Sequence, residues 1–195
     1  MAFDFILIAA STGGPAALNE VCSGLPDRIS CPVLIVQHMP PDFTRLLAGS
    51  LSKVCKLPIE EATNGQTVLP GHILVAPGGW HMTVKNERGR KTVELLNTPL
   101  VKGVRPAADV LFDSIARSFP RQKILAVILT GMGNDGLDGV RRMKEACNCY
   151  CLAQSEESSV IYGMPRSVVD AGLADEVIHL KDMAKRIHQL VPFEK

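Results

Sequence analysis

The 195-residue sequence has the length of one domain, and 46% of its residues are hydrophobic and 21% charged. This is ordinary globular usage, so the composition excludes the intrinsically disordered and fibrous classes. The formal net charge is +1 and no block of Lys or Arg stands out, which argues against a nucleic acid or an anionic membrane as the partner.

The amino-terminal segment indicates a cytoplasmic protein without membrane insertion, and this location decides how the six cysteines are interpreted. The start MAFDFILIAASTGG has no basic region, its apolar run is too short for a signal peptide, and no segment reaches the roughly 18 apolar residues of a membrane-spanning helix. Without a secretory signal, the cysteines are expected to be reduced, buried thiols. Cys147, Cys149 and Cys151 are close in sequence, but their spacing is not that of a zinc site, so no metal is predicted.

Short apolar runs alternate with helical patterns along the chain. Near-continuous apolar runs are typical of strands buried on both faces of a parallel sheet, and they cover residues 3–10, 32–37, 72–76, 124–129 and 150–153. The helical patterns cover residues 15–22, 43–54, 107–118, 136–146 and 165–171. This alternation predicts right-handed βαβ units, and therefore a doubly wound α/β fold with helices on both faces of a mostly parallel sheet.

Two further segments complete the predicted fold. Residues 82–85 and 92–96 have β-type composition and flank a polar, glycine-containing stretch, which predicts an antiparallel hairpin at the edge of the sheet. Residues 176–180 are a candidate last strand, and residues 181–190 are a candidate C-terminal helix. Because no internal repeat or linker interrupts the pattern, residues 1–195 are predicted to form a single domain.

Three loops at the predicted carboxyl ends of strands carry reactive side chains, at the place where open α/β sheets bind ligands. Ser11, in STGGP, follows the first strand and opens a helix whose positive end can stabilise developing negative charge. His38, in QHMPP, follows the second strand and is a candidate general base. Asp135, in TGMGNDG, can orient the imidazole. The three residues predict a Ser–His–Asp triad.

Each member of this triad also has a simpler explanation. Ser11 with its two following glycines can be a helix N-cap or a phosphate nest, His38 a capping or packing residue, and Asp135 the N-cap of the following helix. Residue types and spacing therefore leave open both a hydrolase and a non-catalytic nucleotide or phosphate binder. Against the binder, the sequence has neither of the two common glycine-rich nucleotide motifs, and neither loop contains a lysine.

The strings around these residues resemble the catalytic domain of the chemotaxis protein-glutamate methylesterase family, CheB. The resemblance runs nearly from end to end of the chain, and six separated strings in the family's order carry it: IAASTGGPAAL, VQHMPPDFT, VAPGGWHM, VRPAADVLFDSIA, AVILTGMGNDGLDG and AQSEESSVIYGMP. The resemblance implies an enzyme without metal or organic cofactor that demethylates γ-glutamyl methyl esters on the cytoplasmic helices of methyl-accepting chemoreceptors. Members of the family can also deamidate receptor glutamines. A serine hydrolase for another ester or amide stays open, because a triad does not define the acyl donor.

The resemblance also implies a role for each site residue. Ser11 is the nucleophile, His38 takes its proton and returns it to the leaving group, and Asp135 holds the imidazole. The backbone N–H groups of Met132 and Thr12 are expected to bind the oxyanion.

Two more residues of the matching strings are expected to contact substrate at the active-site mouth, namely His81 in PGGWHM and Arg105 in VRPAAD. The sequence differs from the family pattern at its start, because the first predicted strand begins almost at Met1. No receiver domain is therefore expected before the catalytic domain, which is either a stand-alone enzyme or an excised domain. Control by a separate regulatory protein stays open.

Overall fold

Within residues 3–191, the part of the chain that the computed structural model describes, strands and helices alternate as the apolar pattern predicts. The strands are β1 (Phe5–Ala10), β2 (Val33–Gln37), β3 (Ile59–Glu61), β4 (Ile73–Val75), β5 (His81–Glu87), β6 (Arg90–Leu96), β7 (Lys123–Ile128), β8 (Asn148–Gln154) and β9 (Glu176–Ile178). The α-helices are α1 (Gly14–Gly24), α2 (Phe43–Leu51), α3 (Ala108–Ser118), α4 (Leu137–Ala146), α5 (Gly163–Asp170) and α6 (Leu180–Leu190).

Seven strands form one parallel sheet in the order β3-β4-β2-β1-β7-β8-β9. Every residue of β1 and β2 is buried, because these central strands are covered on both faces. The chain continues from β1 to β2 on one side, whereas β7 pairs with β1 on the other side. The strand order therefore reverses between β1 and β7, and such a switch point opens a crevice at the carboxyl ends of the strands.

Helices cover both faces of the sheet, which confirms the doubly wound prediction. On one face, Leu18 of α1 and Ile187 of α6 belong to a single apolar cluster with alternate side chains of the strands. On the other face, Phe112 of α3 and Val140 of α4 belong to a second cluster. The two clusters place the hydrophobic core on both sides of the sheet and leave the strand ends free for a site.

The predicted hairpin exists, but it does not extend an edge of the main sheet. Strands β5 and β6 form an antiparallel sheet of their own, and the edges of the main sheet are β3 and β9. The apolar face of the hairpin, which includes Met82 and Val84, is buried in the same cluster as Ile115 of α3. Because this face packs on a helix that already covers the sheet, the hairpin lies outside the plane of the sheet.

The short strand β3 is absent from the sequence prediction because only Ile59 of its three residues is buried, so it leaves no apolar run.

The six cysteines are free thiols. Burial raises the pKa of the Cys151 thiol to about 12, as expected for a packed thiol. In residues 3–191, no helix has the length and hydropathy that crossing a membrane requires.

Candidate active site

The turn after β1 presents Ser11 at the amino end of α1. Gly13 has a φ of 81°, and a Cβ atom at this position would lie 2.6 Å from Cγ2 of Val160. A Cβ atom at Gly14 would lie 1.8 Å from Oε1 of Gln37. Both positions therefore require glycine, and the turn is tight enough for the Gly14 N–H to donate to the Ser11 carbonyl oxygen at 2.7 Å.

His38 follows β2 and lies beside this turn, because its backbone N–H donates to the Ala10 carbonyl oxygen at 3.1 Å. The preceding residue, Gln37, is buried under the site. Its Nε2 atom donates to the carbonyl oxygens of Ser11, at 2.9 Å, and of His38, at 3.2 Å. Gln37 thus ties together the backbones of the proposed nucleophile and the proposed base. Sequence reasoning missed this role, although Gln37 stands next to His38 in the QHMPP string.

The Asp135 carboxylate is buried and surrounded by N–H groups. Its Oδ2 atom lies 2.7 Å from His38 Nε2 and accepts a hydrogen bond from the Ala108 backbone at 2.6 Å. Its Oδ1 atom accepts from the backbone N–H groups of Asp109, at 2.9 Å, and Gly136, at 3.0 Å. The alternative interpretation of Asp135 as the N-cap of the following helix is wrong, since Gly136 occupies that position. The side chain instead caps α3.

These contacts fix the charge on Asp135 and the orientation of the imidazole. Burial favours the neutral acid, but the hydrogen bonds from His38, Asp109 and Ala108 outweigh it and hold the pKa of Asp135 below its usual value. The carboxylate is therefore ionised at neutral pH and accepts from Nε2–H of His38, which leaves Nδ1 as the ring nitrogen that can take a proton. Within residues 3–191, Ser11 Oγ has no hydrogen bond to this ring, as is common before substrate binds.

One cavity of about 360 Å³ brings the predicted triad and both predicted oxyanion donors together, since Ser11, Thr12, His38, Met132 and Asp135 all line it. The backbone N–H groups of Thr12 and Met132 have no acceptor in the described part of the chain. Two unpaired N–H groups beside a serine hydroxyl are what an oxyanion hole requires. The cavity lies at the switch point between β1 and β7.

Thr130 supports this arrangement and was not predicted. Its Oγ1 atom lies 2.9 Å from the Thr12 carbonyl oxygen and accepts from the Ile161 backbone N–H at 3.0 Å. The next residue, Gly131, approaches Ser11 so closely that a Cβ atom there would lie 2.7 Å from Ser11 Cβ. Thr130 and Gly131 therefore position the Met132 loop against the turn that carries Ser11. The only sequence signal for them is their place at the start of TGMG.

His81 is completely buried, which corrects the expectation that it contacts substrate. Its Nε2 atom donates to the Pro99 carbonyl oxygen at 3.0 Å, and its Nδ1 atom accepts from the Ala107 backbone N–H at 3.2 Å. Burial lowers the pKa of His81, so the ring is neutral and can accept at Nδ1. His81 therefore joins the two ends of the loop between β6 and α3.

Arg105, the second expected substrate contact, belongs to this β6–α3 loop. Its Nη1 atom donates to the Thr98 carbonyl oxygen at 2.7 Å. The residue lines a second cavity of about 300 Å³, to which His38 and Leu100 also contribute. Arg105 thus lies beside the proposed base, and its contact with substrate stays a prediction.

Within residues 3–191, no group of three or more His, Cys, Asp or Glu side chains could hold a metal ion.

Comparison with known proteins gives a consistent result. A family model described as CheB methylesterase matches residues 6–187. Protein-glutamate methylesterase/protein-glutamine glutaminase 1 of Oleidesulfovibrio alaskensis is 43% identical over 188 residues, which cover 96% of this chain and 50% of that protein. Protein-glutamate methylesterase/protein-glutamine glutaminase 2 of Pseudomonas aeruginosa is 46% identical over 184 residues, which cover 94% of this chain and 52% of that protein.

The same likeness holds in three dimensions. The crystal structure of the Thermotoga maritima CheB methylesterase catalytic domain matches with a TM-score of 0.93 at 36% sequence identity. The match covers 98% of this chain and 100% of that domain. The chain spans about half the length of the curated relatives it matches.

Proposed function

This chain belongs to the CheB methylesterase family, and from that membership we propose that it is a serine hydrolase acting on γ-glutamyl methyl esters of methyl-accepting chemoreceptors. The observation that supports this best is the 2.7 Å contact between His38 Nε2 and Asp135 Oδ2, in the same cavity as Ser11. The substrate lies on the cytoplasmic helices of the receptors, so the protein acts in the cytoplasm.

The geometry suggests a two-step mechanism. Ser11 Oγ attacks the ester carbonyl while His38 Nδ1 takes its proton, and Asp135 stabilises the resulting imidazolium. The N–H groups of Met132 and Thr12 bind the oxyanion of the tetrahedral intermediate. His38 then gives its proton to the departing methoxide, which leaves as methanol. A water molecule, deprotonated by His38, hydrolyses the glutamyl-Ser11 ester and regenerates the hydroxyl of Ser11.

The same acyl-enzyme accounts for a second reaction. A glutamine side chain presents a carboxamide in place of the methyl ester, and His38 would then protonate the departing amine, so that ammonia leaves in place of methanol. Both named relatives carry the two activities in their names. We include glutamine deamidation in the proposed function for this reason.

The test is release of methanol from methylated receptor membranes. The wild-type protein should release it, and the Ser11→Ala variant should lose about 10⁴-fold or more in rate while keeping its melting temperature. A matched control is Ser23→Ala, because the Ser23 hydroxyl is on α1 and, among the described residues, donates only to the Glu20 carbonyl oxygen. Normal release by a folded Ser11→Ala variant would exclude Ser11 as the nucleophile.

A fluorophosphonate probe separates the remaining alternatives, because it labels an activated serine whatever the natural acyl donor is. Labelling of Ser11 without methanol release would indicate a hydrolase for another ester or amide. Absence of both labelling and methanol release would favour a nucleotide or phosphate binder.

A further inference from the structure

Two buried carboxylates, those of Asp135 and Asp109, are connected through the backbone next to each of them. The Asp109 N–H donates to Asp135 Oδ1 at 2.9 Å. In the opposite direction, the N–H of Gly136, which follows Asp135, donates to Asp109 Oδ1 at 3.0 Å and also lies 3.0 Å from Asp135 Oδ1. Asp109 Oδ1 further accepts from the Gly139 N–H at 2.8 Å. Asp135 thus caps α3, while Asp109, a residue of α3, caps α4.

Lys102, on the β6–α3 loop, joins this pair to the catalytic cavity. Its Nζ atom lies 2.6 Å from Asp109 Oδ2 and 2.8 Å from Asp138 Oδ2. The same atom donates at 3.0 Å to the carbonyl oxygen of Asn134, the residue before Asp135. Lys102 also lines the cavity that contains Ser11 and His38. One ammonium group therefore touches both the partner carboxylate and the backbone that carries the proposed catalytic carboxylate.

The arrangement needs a cation, because two carboxylates that share one N–H group repel each other. Burial raises the pKa of Asp109, and its contact with Lys102 opposes that rise. Burial disfavours the charge on Lys102, but hydrogen bonds to Asp109 and Asp138 outweigh it and raise the pKa of the ammonium group. Several titratable or charged side chains face the two carboxylates: His38 after β2, His81 of β5, Lys102 of the β6–α3 loop, and Asp138 and Arg142 of α4.

We propose that Lys102 and Asp109 are positioning residues that fix the orientation and the charge of Asp135 for the hydrolysis described above, so the inference rests on the proposed function. Neither residue needs to touch the reacting atoms. Lys102 and Asp109 carry opposite charges, so removing one should change the electrostatic potential at His38 in the opposite direction from removing the other. If the two residues served only to stabilise the fold, the effects of removing them would not have opposite signs.

The experiment measures the rate of fluorophosphonate labelling of Ser11 against pH in three variants. Lys102→Met leaves the Asp109 carboxylate without its cation. The acid limb of the profile, where the labelling rate rises with pH, should therefore move to higher pH by about half a unit or more. Asp109→Asn removes a negative charge and keeps one amide oxygen for the α4 N–H groups, so the limb should move to lower pH by a similar amount. The double variant should return close to the wild-type midpoint.

Two further variants act as controls. Lys102→Arg keeps the charge and should keep the wild-type midpoint. Lys185→Met removes a cation from the exposed side of α6, on the opposite face of the sheet, and should also leave the midpoint unchanged. If Asp109→Asn does not fold, the difference in midpoint between Lys102→Met and Lys102→Arg still tests whether the charge of Lys102 matters. Shifts of the same sign in the two single variants, or no measurable shift in folded Lys102→Met, would overturn the inference.

The design also separates this inference from the proposed function. Labelling without methanol release contradicts the proposed substrate, while the labelling profiles still test Lys102 and Asp109. If the wild-type protein is not labelled at all, the hydrolase proposal fails. The pH dependence of the His38 ring signals, followed by NMR in the same variants, then shows whether the opposite shifts occur.

Discussion

The side-chain amide of Gln37 donates to the carbonyl oxygen of Ser11 at 2.9 Å, so a buried residue of β2 holds the backbone of the turn that carries Ser11. Gln37→Leu keeps the approximate size and removes this donor. We expect kcat to fall about 10- to 100-fold with little change in KM, because misplacement of the hydroxyl affects the chemical step more than binding. The free energy of unfolding should fall by about 1–3 kcal/mol, since two partly buried carbonyl groups lose a donor.

Steady-state methanol release and urea unfolding on the same preparation check this prediction. Gln189→Leu is the matched control, because Gln189 lies on the exposed side of α6 and its side chain bonds Arg186, away from the site. A wild-type kcat in Gln37→Leu would mean that the glycines alone position Ser11.

Asp135→Asn should reduce both rate and stability. If Asp135 were a simple N-cap, Asn would replace it well. The Asp135 carboxylate, however, accepts hydrogen bonds from four N–H groups. In Asn, one of the two oxygens becomes an NH₂ group, which cannot accept a hydrogen bond from the N–H groups on its side. We expect a loss of about 2–4 kcal/mol in the free energy of unfolding. The rate should fall by as much as about 10⁴-fold, because the amide cannot stabilise the imidazolium and can hold the wrong His38 tautomer.

Thermal melts and ester hydrolysis measured together test both effects. Asp170→Asn is a suitable control, since Asp170 is exposed on α5 and forms an ion pair with the exposed Arg166. Near-normal turnover in a folded Asp135→Asn variant would leave Asp135 with a capping role alone.

His81 should make the stability of the fold depend on pH. Because burial lowers the pKa of His81 from 6.5, the unfolded chain binds more protons than the folded protein in mild acid. The free energy of unfolding should therefore fall as the pH drops below about 6.5 and approaches the lower folded-state pKa. His81→Gln offers a donor and an acceptor for Pro99 and Ala107 without titrating, so this slope should become smaller.

Urea unfolding at several pH values between about 5 and 7 measures the slope. The control is His72→Gln, which removes a half-buried histidine elsewhere in the fold. An unchanged slope in His81→Gln would show that other groups cause the acid sensitivity.

Gly13 and Gly65 allow backbone strain to be separated from packing. Both have positive φ, 81° and 79°, but a Cβ atom at Gly65 meets no atom within 4 Å, whereas one at Gly13 would overlap Val160. Gly65→Ala should lose about 1–2 kcal/mol of stability through strain alone. Gly13→Ala should lose more and should also lose esterase activity, because the overlap moves the turn that carries Ser11.

The double variant Gly13→Ala/Val160→Gly tests this interpretation of Gly13, because the Cβ atom of Val160 would itself lie 2.7 Å from the new Cβ atom. Removal of the whole Val160 side chain should restore part of the stability and activity, as a double-mutant cycle would reveal. Equal losses of stability in Gly13→Ala and Gly65→Ala would show that the Val160 side chain moves aside at no cost in free energy.

The sequence predicted the sheet and the gathering of Ser11, His38 and Asp135 at one edge, because buried parallel strands leave long apolar runs and their ends share one side. It could not predict the position of the hairpin, since β-type composition indicates that two strands pair but not what they pack against. It also could not predict that His81 would be buried, or that Asp109 would approach Asp135 and Lys102 would approach Asp109. These contacts depend on how the β6–α3 loop folds, for which local patterns carry no signal.

The switch point also has a consequence for biosynthesis. His38 and Asp135 are separated by 97 positions and meet only after β7 has paired with β1. Chains emerge from the ribosome amino end first, so Ser11 and His38 leave it well before their carboxylate partner. A half-made chain therefore displays a serine and a histidine that lack both the orienting charge and the Met132 side of the proposed oxyanion hole. On the proposed mechanism, hydrolysis is expected only after the two halves of the sheet have joined.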